Sequence, residues 1–143
     1  MSTMPKVSVV TTTYNDMDNL CRIMEEVRKQ TYKNIEHIIV DGGSTDGTVE
    51  MLTRLEEQPG AFRWISEPDD GIYDAINKGL KLCTGDIIGT CFDHFADETV
   101  LARMVEIMER EGTDGVHGDL CYMDGDRVVR KWHQGQGHIR SGW

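Results

Sequence analysis

Four short apolar runs, each followed by a stretch with helical periodicity, constrain the fold of this chain more than any other feature. The runs begin near residues 7, 35, 62 and 87 and are rich in β-branched or aromatic residues, which favours buried strands. After the first run, Leu20, Ile23 and Val27 recur at the spacing of one helical face, and Asp16 sits where an N-cap belongs. Alternating strands and helices predict an α/β fold with a mostly parallel sheet covered by helices on both faces.

The end of the chain follows a different pattern. Residues 116–123 and 127–132 have the character of strands and flank Asp124-Gly125. An Asp-Gly pair between two strands is a strong hairpin signal, so a C-terminal antiparallel hairpin is predicted. The remaining residues, 133–143, are rich in Gly and His without periodicity, and an irregular tail is predicted there.

Composition narrows the function classes. With 15 Lys and Arg against 25 Asp and Glu, the formal net charge is −10, which argues against a nucleic-acid partner or a broad anionic-membrane surface. None of the 4 cysteines forms a C-x-x-C pair, so a zinc ribbon or thioredoxin-type motif has no support, and free thiols in the cytoplasm are expected. No run approaches the roughly 20 apolar residues of a membrane span. We expect one cytoplasmic domain over residues 1–132, followed by the tail.

Polar loops follow all four predicted strands. They begin near Thr13, Asp41, Ser66 and Phe92, and three of them carry carboxylates. Turn chemistry alone explains any single polar loop. In an open parallel sheet, however, all four loops meet at one edge, where such folds bind ligands. A ligand site at that edge is therefore predicted.

Four strings along the chain carry a resemblance to a known family. They read VSVVTTTYN at 7–15, IVDGGSTDGT at 39–48, SEPDDGIYDAINKG at 66–79 and TGDIIG at 84–89. In this order they resemble the family 2 glycosyltransferases, which have the GT-A fold. The resemblance implies a Rossmann-like, three-layer GT-A core that transfers a sugar, with inversion, from a nucleotide-diphospho-sugar. A UDP-sugar donor and a glycan or lipid-linked acceptor are implied.

The resemblance also implies residues that bind the donor. Thr13, Tyr14 and Asn15 would lie against the base. Asp41 would meet the base too, and a carboxylate can accept a hydrogen bond from the N3–H of uracil. The plainer alternative for Asp41 is a turn residue that caps its own loop, for instance at Ser44.

The first turns of the third helix are implied to face the donor cleft. Asp70, Asp74 and Lys78 would lie there, and Lys78 would help to neutralise a phosphate. The alternatives are ordinary ones, because acidic residues in a first turn complement the helix dipole and a helix lysine is commonly solvated.

Members of the family hold a divalent cation, Mn²⁺ or Mg²⁺, at an Asp-x-Asp string that ends the fourth strand. The cation bridges the diphosphate and stabilises the departing UDP. This chain reads TCFDHFAD at 90–97 and has no such string, which puts metal-dependent catalysis in question. Asp93 and His94 stand where an Asp-Asp pair is expected, and this donor set suits Mn²⁺ better than Mg²⁺.

The implied catalytic base is Asp119, in a string VHGD at 116–119 that resembles a family segment. A strand-end or turn aspartate is the alternative. At 143 residues the chain is short for the family, so a second hypothesis is a truncated or degenerate relative that binds a nucleotide, or only self-associates, without catalysis. A nucleotidyltransferase is disfavoured because residues 11–15 lack a basic, Gly-rich loop. A cytoplasmic location, or a peripheral one at the membrane, is expected.

Overall fold

The computed structural model describes residues 4–58 and 62–133. Strands and helices alternate along these ranges as β1 Val7–Thr13, α1 Met17–Lys29, β2 Ile35–Asp41, α2 Thr48–Glu56, β3 Arg63–Ser66, α3 Ile72–Leu80, β4 Ile87–Thr90, α4 Val100–Glu111, β5 Leu120–Asp124 and β6 Arg127–Trp132. The predicted alternation and hairpin are confirmed. The first hairpin strand begins at Leu120 rather than at residue 116, since Gly115 and Gly118 interrupt the segment before it.

The chain divides into two compact units, Met1–Ala102 and Arg103–Trp143. The first unit contains the four-stranded sheet and α1 to α3. The second contains the hairpin. The irregular tail predicted from residue 133 onward falls, apart from His133, outside the described residues.

The sheet of the first unit is parallel throughout, with strand order β3-β2-β1-β4. Thr13 pairs with Asp41, and Asp41 pairs with Ser66, so three strands end side by side. The chain moves outward from β1 to β2 and β3, and then returns to the other side of β1 for β4. The point between β1 and β4 is therefore the topological switch point, where open α/β sheets bind ligands.

Helices cover both faces of this sheet, which gives the predicted three layers. On one face, Leu20 of α1 and Leu52 of α2 pack with Ile39 of β2. On the other, Ala75 of α3 packs with Val10 and other buried strand residues. The near-continuous apolar runs in β1 and β2 follow from this double coverage.

The helix α3 approaches the sheet closely at Gly79. A Cβ at this position would lie 2.5 Å from Val10 Cγ1 and 3.2 Å from Val40 Cγ2. Both valines are fully buried in the central strands. Glycine is needed here because any side chain would displace α3 from the sheet.

The start of α1 is capped differently from the prediction. Asp16 occupies the N-cap position but makes no side-chain cap hydrogen bond. Instead, the Met17 N–H donates to Asp46 Oδ2 at 3.1 Å, from the loop after β2. The cap is therefore a tertiary contact, which sequence spacing does not reveal.

In the second unit, β5 and β6 pair antiparallel, with an irregularity between Tyr122 and Met123. The Arg130 guanidinium lies 5.9 Å from the ring centres of both Tyr122 and Trp132. Every residue of the two strands is exposed. Among the described residues, no helix is long and apolar enough to cross a membrane.

Candidate functional site

A cavity of about 220 Å³ opens at the carboxyl end of β1, at the switch point of the sheet. Its walls are residues 11–14, Asp16, one side of α1 (19, 20 and 23), Ile72 at the start of α3 and Phe92 after β4. Two of the predicted donor-binding residues, Thr13 and Tyr14, lie in this wall. The edge predicted to bind a ligand thus contains a cavity.

Tyr14 and Thr13 differ in what they offer to a ligand. Tyr14 is 64% exposed, so its ring is available as a stacking surface. Thr13 Oγ1 is buried and has no hydrogen-bond partner among the residues that the structure describes. A buried hydroxyl without a partner costs about 1–3 kcal/mol.

The loop after β1 is fastened to the loop after β2. Asn15 has a positive φ of 48°, and its N–H donates to Ser44 Oγ at 2.7 Å. In return, the Thr45 N–H donates to Asn15 Oδ1 at 2.7 Å. The Asn15 side chain therefore holds the two loops together, and its predicted contact with a base stays a prediction.

Asp41 is fully buried, and its carboxylate accepts hydrogen bonds from its surroundings. Oδ2 accepts from the N–H groups of Gly43 at 3.1 Å and Ser44 at 2.9 Å, and from Ser66 Oγ at 2.6 Å. Oδ1 accepts from Ser44 Oγ. These contacts are those expected if Asp41 is a turn residue that caps its own loop. The predicted hydrogen bond to a base would have to share Oδ1 with Ser44.

Lys78 already has partners within the protein, and its predicted contact with a phosphate stays a prediction. Its Nζ donates to the Pro68 carbonyl at 2.8 Å and lies 3.1 Å from carboxylate oxygens of both Glu67 and Asp74. Desolvation opposes the charged form, but the hydrogen bonds to Glu67 and Asp74 outweigh it and raise the pKa of Lys78. Lys78 therefore fastens the loop before α3 to the helix.

The other acidic residues of that loop also bind the backbone. The Asp70 N–H donates to Asp74 Oδ2 at 3.1 Å, and this bond, followed by that of Lys78, lowers the pKa of Asp74. The Gly71 N–H donates to Asp69 Oδ1 at 2.9 Å. A Cβ on Gly42 would lie 2.7 Å from Asp69 Oδ2, so this loop approaches the loop after β2 closely.

After β4, the chain carries Asp93 and His94, the predicted metal ligands. Both are exposed. His94 Nδ1 lies 2.8 Å from Glu26 Oε1, and the Phe95 N–H donates to Glu26 Oε2 at 2.9 Å. Nearby, Cys91 is buried, and this burial raises the pKa of its thiol to about 12. A thiol of that kind is inert as a nucleophile.

No group of three or more His, Cys, Asp or Glu side chains that could hold a metal exists among the described residues. The donor set of Asp93 and His94 nonetheless fits a cation that is shared with a diphosphate. The diphosphate supplies oxygens, and the imidazole is hydrogen-bonded by a carboxylate, as metal-ligating histidines are. A cation bound there would neutralise charge on a departing nucleoside diphosphate.

Asp119, the predicted base, lies in the second unit immediately before β5. Its Oδ2 is 2.7 Å from Nδ1 of His133, and both side chains are exposed. The pairing was not expected, because the sequence separates the two residues by most of a hairpin. The role of Asp119 stays a prediction.

Sequence reasoning missed the residues of α1 that contact the loop after β4. Glu26 binds His94, and Gln30, which is almost fully buried, donates to the Asp97 carbonyl at 2.9 Å. Each occurs on a helix with polar neighbours, where glutamate and glutamine normally face solvent. The one signal in the sequence is the position of Gln30, three residues after the buried Val27 and on the same face, which would have predicted that Gln30 is buried.

The parallel core, its added hairpin and the cavity at the strand ends define a GT-A type of α/β fold. The mannosyltransferase PcManGT from Pyrobaculum calidifontis, solved in complex with GDP-Man and Mn²⁺, matches with a TM-score of 0.67 and 26% identity, over 75% of this chain and 33% of its own. The structure of S. aureus TarS 1–349 in complex with UDP-GlcNAc matches with a TM-score of 0.68 and 20% identity, over 76% of this chain and 32% of its own.

Residues 8–141 match the family model described as glycosyl transferase family 2, and the chain belongs to that family. An uncharacterized glycosyltransferase of Mycobacterium tuberculosis is 43% identical over 115 residues, which are 78% of this chain and 43% of that protein. A PGL/p-HBAD biosynthesis glycosyltransferase of Mycobacterium bovis is 32% identical over 120 residues, 81% of this chain and 47% of its own length. The chain thus spans less than half of these relatives.

Proposed function

We propose that this chain is the donor-binding part of an inverting glycosyltransferase that uses a UDP-sugar. The observation that carries the proposal is the cavity at the switch point, with the exposed ring of Tyr14 in its wall. Relatives of known structure support it, since PcManGT was solved with GDP-Man and TarS with UDP-GlcNAc. The donor base stacks on Tyr14, while Thr13 and Asn15 border it.

The diphosphate lies toward the end of β4 in this proposal. The carboxylates of Asp70 and Asp74 do not attract it, and Lys78 is already paired with Glu67 and Asp74. Asp93 and His94 would hold a divalent cation, which would supply the missing positive charge. Asp70, Asp74 and Lys78 then act on the donor indirectly, by fixing the loop before α3.

In the transfer step, an acceptor hydroxyl attacks the anomeric carbon of the donor sugar. A bond forms between the acceptor oxygen and that carbon, and the bond between the carbon and the diphosphate oxygen breaks. The hydroxyl proton passes to the carboxylate of Asp119, which acts as general base. His133, 2.7 Å from Asp119, orients this carboxylate. The acceptor is a glycan or a lipid-linked glycan.

Calorimetric titration with UDP and GDP, each with Mn²⁺ or with EDTA, tests the donor site. UDP is expected to bind, and Tyr14→Ala to weaken its affinity about 10-fold or more, because stacking of a base on an aromatic ring contributes about 1–3 kcal/mol. Tyr122→Ala is the matched control, an exposed tyrosine of the hairpin, and should leave the affinity unchanged. Absence of UDP binding under both conditions would refute the proposal.

The catalytic part is tested by release of UDP from UDP-sugars. Asp119→Asn should bind UDP as the wild type does and lose about 100-fold or more in turnover, since general-base catalysis contributes about 10²–10⁴-fold. If the wild type binds UDP but releases none from any UDP-sugar, the second hypothesis, a relative that binds without catalysis, is correct for this chain.

A further inference from the structure

The loop after β4, residues 91–99, is fastened from His94 onward to α1 and to the two residues that follow this helix. The Glu26 carboxylate accepts from the Phe95 N–H at 2.9 Å and contacts His94 Nδ1 at 2.8 Å. Further along, the Thr31 N–H donates to the Glu98 carbonyl at 2.7 Å. The Gln30 amide bridges the end of the loop, because Nε2 donates to the Asp97 carbonyl and Oε1 accepts from the Leu101 N–H at 3.1 Å.

The contact between Glu26 and His94 determines which ring nitrogen carries the hydrogen. A carboxylate offers only acceptors, so Nδ1 of His94 must be the donor at 2.8 Å. In the neutral imidazole, Nε2 then keeps its lone pair and is free to coordinate a metal ion. A carboxylate that holds the far nitrogen of a metal-ligating histidine is a common arrangement, and its loss costs about 10–100-fold in metal affinity.

The neighbouring charges favour a cation as the group that His94 meets. Asp93 is exposed, and its carboxylate makes no hydrogen bond with the described residues, so an anionic diphosphate alone would be repelled there. One nitrogen and one carboxylate form an incomplete set, which binds a cation firmly only when a diphosphate supplies further oxygens. Mg²⁺ prefers oxygen ligands in a strict octahedron, whereas Mn²⁺ accepts imidazole.

We propose that Glu26 is a positioning residue which fixes the tautomer of His94, so that His94 Nε2 and the Asp93 carboxylate bind Mn²⁺ in preference to Mg²⁺, and only together with the nucleoside diphosphate. The proposal rests on the proposed function, since the diphosphate is that of the donor. Neither the role of Glu26 nor the preference for Mn²⁺ needs an Asp-x-Asp string.

The variant Glu26→Gln tests this sharply. Its amide oxygen accepts from the Phe95 N–H, and its NH₂ group donates to His94 Nδ1, so the loop keeps both hydrogen bonds while the hydrogen of the ring moves to Nε2. Long-range ¹H–¹⁵N NMR spectra should show the Nδ1–H tautomer of His94 in the wild type and the Nε2–H tautomer in Glu26→Gln. Glu25→Gln is the matched control, because Glu25 lies next in the same helix but pairs with Arg28 and Lys29.

Electron paramagnetic resonance then measures free Mn²⁺ with and without UDP. We expect Mn²⁺ to bind at least 10-fold more tightly with UDP than without, Mg²⁺ to compete poorly, and Glu26→Gln to weaken Mn²⁺ binding about 10–100-fold. Glu25→Gln should behave as the wild type. Equal Mn²⁺ affinity in wild type and Glu26→Gln, with UDP bound, overturns this inference and leaves the proposed function intact. UDP binding that is unaffected by EDTA also overturns it, because no cation would then be needed at His94 and Asp93.

Discussion

Asp41 and Lys78 lie at the ligand-binding edge with their polar atoms already bound by the protein's own loops. Asp41 accepts from Gly43, Ser44 and Ser66. Lys78 binds Pro68, Glu67 and Asp74. Such side chains shape the loops that a nucleotide would meet. Tyr14 and Asp93 are exposed in the same region, and the proposed contacts depend on them.

His37 gives a residue-scale prediction about pH. The ring is buried under α1 and α2, with Nε2 2.9 Å from Thr11 Oγ1, and burial lowers its pKa to about 4. In the unfolded chain a histidine titrates near pH 6.5, so between about pH 6.5 and 4 the unfolded state takes up a proton that the folded state refuses. The free energy of unfolding should therefore decrease as the pH is lowered through this window, by about 3 kcal/mol in total at pH 4.

Urea unfolding at several pH values checks this prediction. His37→Gln, a neutral residue that can still reach Thr11, should lack the histidine contribution. The wild type should then lose stability relative to His37→Gln steadily as the pH is lowered from 7 to 4. Carboxylates titrate in both proteins and cancel in this difference. Parallel pH curves would show that His37 does not titrate as the burial implies.

At the scale of elements, most of the fold follows from sequence patterns. Runs such as Ile38-Ile39-Val40 are apolar on both faces because helices cover both faces of β2. The periodicity of α1 predicts its buried residues, and Leu20, Ile23 and Val27 are indeed inside. Asp16 occupies the predicted N-cap position of α1, but Asp46 supplies the capping hydrogen bond from another loop. The local sequence pattern predicts the type of an element and its buried face, whereas the contacts at its ends depend on neighbouring segments of the fold.

The packing of α3 on the sheet yields an element-scale prediction. In Gly79→Ala, helix propensity gains about 1 kcal/mol, but the new methyl group would lie 2.5 Å from Val10 Cγ1. Overpacking of this kind costs about 1–3 kcal/mol, and the rigid strands cannot relieve it cheaply. We expect a net loss of up to about 2 kcal/mol in the free energy of unfolding, measured by urea denaturation.

Gly89→Ala is the control for this change. No atom lies within 4 Å of the position that its Cβ would take, and its φ is outside the left-handed region. Its effect should be a stabilisation of about 0.4–1 kcal/mol, because alanine restricts the unfolded chain and fits this position without strain. If Gly79→Ala proved as stable as Gly89→Ala, α3 could not lie as close to β1 as the structure has it.

For the molecule as a whole, the net charge of −10 allows a small site for a nucleotide-sugar donor but disfavours the binding of polyanions such as nucleic acids. The carboxylates at the strand ends add to this charge, and the proposed cation offsets it locally. The hairpin carries Arg127, Arg130 and Lys131, but Asp124 and Asp126 accompany them. No extended basic surface is therefore expected from the composition of either unit.

Fluorescence anisotropy with a labelled DNA duplex tests this expectation for the whole protein. At about 150 mM salt, any Kd for the duplex should be weaker than roughly 10⁻⁴ M, because non-specific affinity for DNA depends on clustered Lys and Arg. A known basic DNA-binding protein provides the positive control. Binding that falls steeply with salt concentration would contradict the prediction and indicate a basic patch that the net charge conceals.

The sequence by itself determined the α/β alternation, the parallel sheet, the hairpin and the family, because these depend on short-range periodicity and on strings of adjacent residues. It also predicted the edge of the sheet at which the cavity lies, since parallel strands must end together. Only the tertiary structure decided which polar groups at that edge are already bound. Ser66 reaches Asp41, Asp46 caps α1, and Glu26 holds His94 across 68 residues of chain. Hydrogen bonds between distant segments depend on distances in space, which the spacing of residues along the chain does not encode.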